Sequence, residues 1–299
     1  MHAAAIEKAV ALVEAHRYIQ RFRDKVVVVK VGGSVQEDEA ALRDLLSDIS
    51  FMSAVGMRPV IVHGGGKAIT AAMERAGLRA RFVRGRRYTD RETLEIAERV
   101  LVGEINAGMV EFLSSTGSLA IGLHSLASCV IFGERLVARG PASGERLDLG
   151  YVGQVTDVNT VLVAALCEDG YIPVIAPVAI ARDPGPEGVW KLNVNADDAA
   201  GKVAAALQAE KLVMMSDTHG IRTDPADPAS YASTLTRSEI DRLIGTGVIG
   251  EGMLPKVAAC LTALQAGVPK AHIIDGRIPH SVLLEIYTDA GIGTQIVLD

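Results

Sequence analysis

Lys30 ends a run of four valines and is followed two residues later by a glycine pair, in VVVVKVGG over residues 26–33. An unbroken β-branched run reads as a strand buried on both faces. A lysine at its end is costly unless an anion meets it; the plain alternative is a stem packed on the core with the ammonium reaching solvent. Gly32 and Gly33 let the backbone turn tightly and approach a bound group. A second glycine-rich corner, HGGG at 63–66, lies between a strand and a helix. Free backbone N–H groups beside a helix N-terminus suit an anion, although tight helix–strand packing uses the same glycines. Neither a Walker loop nor the dinucleotide fingerprint occurs.

Four further stretches carry chemistry. In NVNAD (193–197), Asn193 and Asn195 are spaced to project the same way from a strand. Asp197 falls at a helix start, where a carboxylate is favoured and where a plain cap is the simple alternative. SDTHG (216–220) is a polar turn at the carboxyl end of a strand, the usual ligand position in α/β sheets; His219 reads as an exposed turn residue. GEGMLPK (250–256) puts Lys256 in the first turn of a helix, disfavoured by about 0.3–1 kcal/mol unless an anion is near. Arg87, in GRRYTD, offers a planar fork matched to a carboxylate.

The elements that must position these residues alternate strand and helix, as in a parallel α/β sheet. Residues 3–22 read as an amphipathic helix with Ile6, Val10 and Val13 on one stripe and Tyr18 and Phe22 near its end. Asp38 caps a helix running to about Ala54, PVIVH (59–63) is a strand, and 68–76 and 91–114 are helices. SCVIF and ERLVA are expected to pair as a hairpin around Gly133. YIPVIAPVAI is expected as one strand, and DPGPEG near Asp183 as a boundary or hairpin tip. The second half continues with strands at KLNVN, KLVMM, AHIID and TQIVL and helices after Asp197, at SEIDRLIG, 255–266 and 280–288.

A chain of 299 residues buries a substantial core. Its formal net charge of -6 and the lack of any basic run argue against nucleic acid or an anionic membrane as partner. Positive charge for an anionic ligand must therefore be local. Cys129, Cys167 and Cys260 show no metal-ligand spacing and are expected as core residues in a reducing cytoplasm. No stretch is long and apolar enough to span a bilayer.

The ordered set KVGG, HGGG, GRRYTD, LNVNAD, MSDTHGI and GEGMLPK resembles the amino-acid kinase family over nearly the whole chain from about Lys25. The resemblance implies an αβα sandwich with a central, mainly parallel sheet. It implies an acyl-amino-acid lobe (25–182), an ATP lobe (183–299) and an N-terminal oligomerisation helix (1–24). By that resemblance Lys30 and Lys256 flank the transferring phosphoryl group and Asp197 positions them. Gly65 and Gly66 bind the attacking carboxylate of N-acetyl-L-glutamate, and Arg87, Asn193 and Asn195 its α-carboxylate. Gly32, Gly33, Asp217, Gly220, Ile221, Arg222 and Gly252 contact ATP, which brings Mg²⁺ as a substrate complex, with no protein-held metal. RYIQRF and IIDGRIPHSVLLEIYTDAGIGT resemble the arginine-sensitive, hexameric branch, built from dimers, which implies an L-arginine site near Tyr18, Lys211, His280 and Glu285.

The chain departs from the family at HSLASC (124–129), where a Gly–Lys–Asp-type loop is usual, at Lys67 in place of proline, and at Arg86 in place of an aliphatic residue. A sister kinase acting on glutamate, aspartate, carbamate or UMP, or a catalytically weak arginine or nucleotide sensor, are the alternatives.

Overall fold

The computed structural model describes residues 3–139, 146–288 and 291–299. The start of the expected 1–24 segment and residues 289–290 of the C-terminal motif lie outside the described residues. Helix α1 (Ala3–Phe22) precedes β1 (Val26–Val31), and α2 (Gly33–Glu37) and α3 (Glu39–Ala54) lead to β2 (Arg58–His63). Helix α4 (Gly66–Arg75) leads to a ribbon of β3 (Phe82–Val83) and β4 (Arg86–Arg87). A long rod comprises α5 (Arg91–Glu98), a π-helical stretch (Arg99–Asn106) and α6 (Ala107–Ser115). Then come β5 (Ala120–Leu123), α7 (Ser125–Ser128), β6 (Ile131–Arg139), β7 (Arg146–Val158), α8 (Thr160–Glu168), β8 (Ile172–Ile175) and β9 (Val178–Ala181). After β10 (Lys191–Val194) come α9 (Ala196–Ala206), β11 (Lys211–Ser216), β12 (Thr234–Thr236), α10 (Arg237–Gly245), α11 (Leu254–Gln265), β13 (Ala271–Asp275), α12 (Ser281–Tyr287) and β14 (Thr294–Val297).

The main sheet has eight strands in the order β12-β14-β13-β11-β1-β2-β8-β5, all pairs parallel except β13 with β14. The valine run explains why it forms three layers. Val27, Val29 and Val31 share one apolar core with Leu45, Leu46 and Ile49 of α3. Val28 points the other way, into a core with Val203 of α9 and Val257 of α11. A strand apolar at every position needs cover on both faces, and helices supply it. Lys30 shares the side of Val28, so strand alternation aims it at α9. Strands β10, β7, β6 and β9 close a small barrel beside the main sheet.

Five expectations need correction. A short helix, α2, follows Gly32 where only a turn was expected. The 91–114 helix is interrupted by the π-helical stretch, whose last residue, Asn106, turns into the core and donates to Val174 O at 2.8 Å. The hairpin is not SCVIF with ERLVA. Ile131–Arg139 is one strand paired with β7, and Gly133 lies inside it at a register shift. YIPVIAPVAI is two strands in two sheets, parted at Ala176 and Pro177, because proline cannot donate to a ladder. Cys129 is exposed, in a left-handed turn before β6, whereas Cys167 and Cys260 are buried as expected.

The apolar stripe of α1 does not pack on the rest of the chain: Ile6, Val10, Leu12 and Val13 are exposed. Only its end docks. Phe22 enters the core, and Tyr18 meets Tyr287 edge-on at 6.2 Å. No helix among the described residues is long and apolar enough to cross a membrane.

Candidate active site

Lys30 Nζ lies 2.8 Å from Asp197 Oδ1, and Lys256 Nζ lies 3.9 Å from Asp197 Oδ2. The side chains of Lys30 and Asp197 are 7% and 10% exposed and that of Lys256 18%. The shorter contact is an ion pair whose angle falls outside hydrogen-bond geometry. Two cations thus share one nearly buried carboxylate, a costly arrangement without further negative charge. Packing of α9 on α11 creates it. Gly201 abuts Ala259 so closely that a methyl there would lie 2.7 Å from Ala259 O, so glycine lets the helices bring Asp197 and Lys256 together. Asn195 is the cap of α9, its Oδ1 accepting from the N–H groups of Asp197 and Asp198 at 2.9 and 3.0 Å. It is therefore not a strand residue beside Asn193, and Asp197 sits one turn position inside the helix rather than at its cap. Lys256 Nζ also donates to Gly252 O at 3.3 Å.

The two glycine corners are held together by polar side chains, of which Gln36 and Asn106 lie outside the motifs and His63 opens HGGG. Gln36 donates from Nε2 to Gly64 O at 3.0 Å and to Val31 O at 3.3 Å, tying the end of β1 to the loop after β2. His63 is fully buried between Gly64 O (3.0 Å from Nδ1) and the Nδ2 of Asn106 (3.1 Å from Nε2). Those partners assign the proton to Nδ1, with Nε2 accepting. Burial holds the imidazole pKa down to about 4, so it is neutral and structural at pH 7. Gly65 is crowded: a methyl there would lie 2.7 Å from both Ile105 Cδ1 and Leu101 Cδ2. Gly66 and Gly33 face open space.

These corners wall a cavity of about 230 Å³, which Lys30, Gly33, Gly65, Gly66, Arg87, Asn193, Asn195 and Asp197 all line. Arg87 is 8% exposed, and its Nη2 donates to Gly66 O and Thr70 Oγ1, each at 2.7 Å. Burial lowers its pKa, but a guanidinium stays charged. Asn193 Nδ2 donates to Thr89 Oγ1 at 3.1 Å, and Thr89 in turn to Arg87 O at 2.9 Å. Thr89, the threonine of GRRYTD, thus ties Asn193 to the Arg87 backbone, a link that the motif alone did not signal. Arg86 also lines the cavity, and its Nη1 is buried with no hydrogen-bond partner. Among the described residues lining this cavity, Asp197 is the one carboxylate beside Lys30, Arg86 and Arg87, so the cavity suits an anion.

Asp217, Gly220, Ile221, Arg222 and Gly252 do not line that cavity. They sit on the loops after β11 and before α11. Ile221 N donates to Thr294 Oγ1 at 2.8 Å, and Arg222 lies over the Tyr231 ring. Gly32 backs onto Met215 O, 3.0 Å from where a methyl would sit. His219 is exposed, 3.4 Å from Asp275.

A second cavity, about 310 Å³, opens between the end of α1 and the β13–β14 edge, and Tyr18, Lys211 and Glu285 all line it. Glu285 Oε1 lies 3.1 Å from Lys211 Nζ and 3.1 Å from His272 Nε2. Burial lowers the Lys211 pKa against the pull of Glu285. Burial, with Lys211 and Lys270 nearby, pushes His272 to about 3, so the imidazole stands neutral beside Glu285. His272 was missed because an AHIID strand reads as plain core. His280 is not in this cavity; its Nδ1 lies 2.7 Å from Asp48 on α3.

Residues 25–275 match the model of the Amino acid kinase family. The chain is 48% identical to an acetylglutamate kinase of Pelotomaculum thermopropionicum over 97% of its length and 98% of that protein. It is 46% identical to an acetylglutamate kinase of Methanothrix thermoacetophila, over 97% of this chain and 99% of that one. Among solved structures, N-acetylglutamate synthase of Neisseria gonorrhoeae, complexed with coenzyme A and N-acetyl-glutamate, superposes with a TM-score of 0.83 at 25% identity. That match covers 97% of this chain and 63% of the synthase.

Proposed function

This chain belongs to the amino acid kinase family, and on that premise we propose that it phosphorylates the side-chain carboxylate of N-acetyl-L-glutamate with ATP, in arginine biosynthesis. The observation that carries the reading is the pair of lysines held by Asp197 at one end of an anion-ready cavity. A carboxylate is already ionised at pH 7, so the transfer needs alignment and charge screening rather than a general base. One carboxylate oxygen bonds to the γ-phosphorus while the bond to the β,γ-bridging oxygen breaks. The products are ADP and N-acetyl-L-glutamyl 5-phosphate.

Lys30 and Lys256 stabilise the charge on the transferring group, and Asp197 holds both ammonium groups in place. The backbone N–H groups of Gly65 and Gly66 receive the attacking carboxylate. Arg87, with Asn193 and Asn195, takes the α-carboxylate; the tether of Asn193 through Thr89 to the Arg87 carbonyl supports that division. ATP lies across Gly32 and Gly33 toward Asp217, Gly220, Ile221, Arg222 and Gly252. Mg²⁺ enters with the nucleotide, held mostly by phosphate oxygens. Residues 25–182, together with β10, which pairs with β7 and β9, form the acceptor lobe and the rest of 183–299 the nucleotide lobe, and the enzyme works in the cytoplasm.

The second cavity is read as an L-arginine site. Glu285 would meet the guanidinium or α-amino group, and Tyr18 on α1 would sense it. The exposed stripe of α1 is read as the contact that joins dimers into a hexamer. His280 has no part in that site.

Coupled ADP release with N-acetyl-L-glutamate or L-glutamate as acceptor, with and without L-arginine, tests the reading. Turnover on the acetylated acceptor and inhibition by arginine are expected. Turnover on glutamate alone would overturn the acceptor assignment.

A further inference from the structure

Arg86 presents a cation that the proposed reaction leaves unmatched. It sits on a short ribbon: β3 and β4 are joined by Arg84 and Gly85, both with positive φ (49° and 73°), the signature of a tight two-residue hairpin turn. Its neighbour Arg87 turns toward α4, where it holds Gly66 O and Thr70. Successive strand residues point to opposite faces, so Arg86 leaves the ribbon on the other side while still lining the cavity with Phe82 and Gly85. Its Nη1 is buried without a partner, and it makes no ion pair among the described residues.

The cavity wall holds three cations, Lys30, Arg86 and Arg87, and one carboxylate, Asp197. Asp197 is engaged by the lysines, which face the phosphoryl group. Arg87 answers the α-carboxylate. The part of the acceptor still unaddressed is its N-acyl arm. An acetyl arm offers one carbonyl oxygen and a methyl group, which leaves a half-buried guanidinium without a counter-charge. An arm ending in a carboxylate matches its planar fork with two charge-assisted bonds.

We propose that Arg86 is a specificity-determining residue that extends the acceptor class to N-acyl-L-glutamates whose acyl arm carries its own carboxylate, because its unpartnered guanidinium lines the acceptor cavity opposite Arg87. This rests on the kinase reading above. The test compares N-acetyl- with N-succinyl-L-glutamate in ADP-release assays of the wild type, Arg86→Leu and Arg86→Lys. The expected result is measurable turnover of the succinyl acceptor by the wild type. The succinyl-to-acetyl ratio of kcat/KM should fall at least about tenfold in Arg86→Leu and less in Arg86→Lys, since a charged hydrogen bond is lost only in the former.

A wild type that uses the acetyl but not the succinyl acceptor overturns the proposal and leaves the kinase reading intact. Parallel loss on both acceptors in Arg86→Leu overturns it too, because the arginine then serves a group that the two share. If Arg86→Leu does not fold, as judged by circular dichroism, the Arg86→Lys ratio decides. If the wild type phosphorylates neither, the kinase reading fails. Calorimetric binding then decides for Arg86: tighter binding of the succinyl compound, weakened in the variant, supports it, and equal binding overturns it.

Discussion

Replacing Asp197 by asparagine removes the one negative charge between two lysines while keeping the side chain's shape. At 2.8 and 3.9 Å, an effective dielectric of about 20 puts the two attractions at about 6 and about 4 kcal/mol before desolvation is counted. Desolvation offsets much of that, and stripping one partner from a buried pair costs about 3–5 kcal/mol. Asp197→Asn should therefore melt about 6–10 °C below the wild type without nucleotide. MgATP should recover part of the loss, since phosphates then answer the lysines. kcat should fall about 10²- to 10³-fold, because the ammonium groups lose their fixed positions. The double variant Lys30→Met, Asp197→Asn separates the two roles. With no ammonium left at position 30, the neutral pair of similar volume restores part of the stability but none of the turnover. Scanning calorimetry and ADP release measure both. An Asp197→Asn enzyme with kcat within twofold of wild type, or a double variant no more stable than the single, would refute the reasoning.

Arg87→Ala should raise the acceptor KM about 10- to 100-fold, the worth of a lost charge-assisted contact, with the ATP KM little changed; steady-state kinetics showing the reverse would count against its assignment. His63 predicts acid lability. Its folded pKa of about 4 lies below the usual 6.5, so between those values only the unfolded chain takes the proton and stability falls as pH drops through that window. From pH 7 to 5 His63 should account for about 2 kcal/mol of the loss, beside that of buried His272, so His63→Gln should lose about 2 kcal/mol less than the wild type; urea unfolding at both pH values checks it, and equal losses would sink it. Deleting residues 1–20 should leave dimers by light scattering and blunt inhibition by L-arginine. A truncated hexamer would dismiss the α1 contact.

Much of the layout of the candidate site was legible in the chain itself. Four valines demand a two-faced cover, so β1 had to be central, and Lys30 then had to emerge at its end. A lysine opening a helix pointed to an anion, and Asp197 at a helix start could supply it. The conformation of Gly133 and the break at Pro177 were not legible, because a bulge and a change of sheet depend on partner strands that local sequence does not name. Nor was the π-helical stretch, whose purpose is clear only once Asn106 is seen against His63 and Val174. His280 looked like part of the second cavity from its place in the motif, yet a left-handed backbone (φ 56°) and a pairing with Asp48, 232 residues away, take it elsewhere. His272 did the opposite, entering that cavity from a strand that reads as core.

Residue type and spacing thus determined which charges and glycines this protein carries, and on which strand ends and helix starts, because periodicity and capping are local physics. Only the tertiary structure decided which of them meet. Gly201 against Ala259 sets the separation of α9 and α11, and with it the reach of Lys256 to Asp197. The two faces of a six-residue ribbon decide that Arg87 is held and Arg86 is left over. Such distances depend on how helices and sheets pack across long stretches of chain, and no local pattern encodes them.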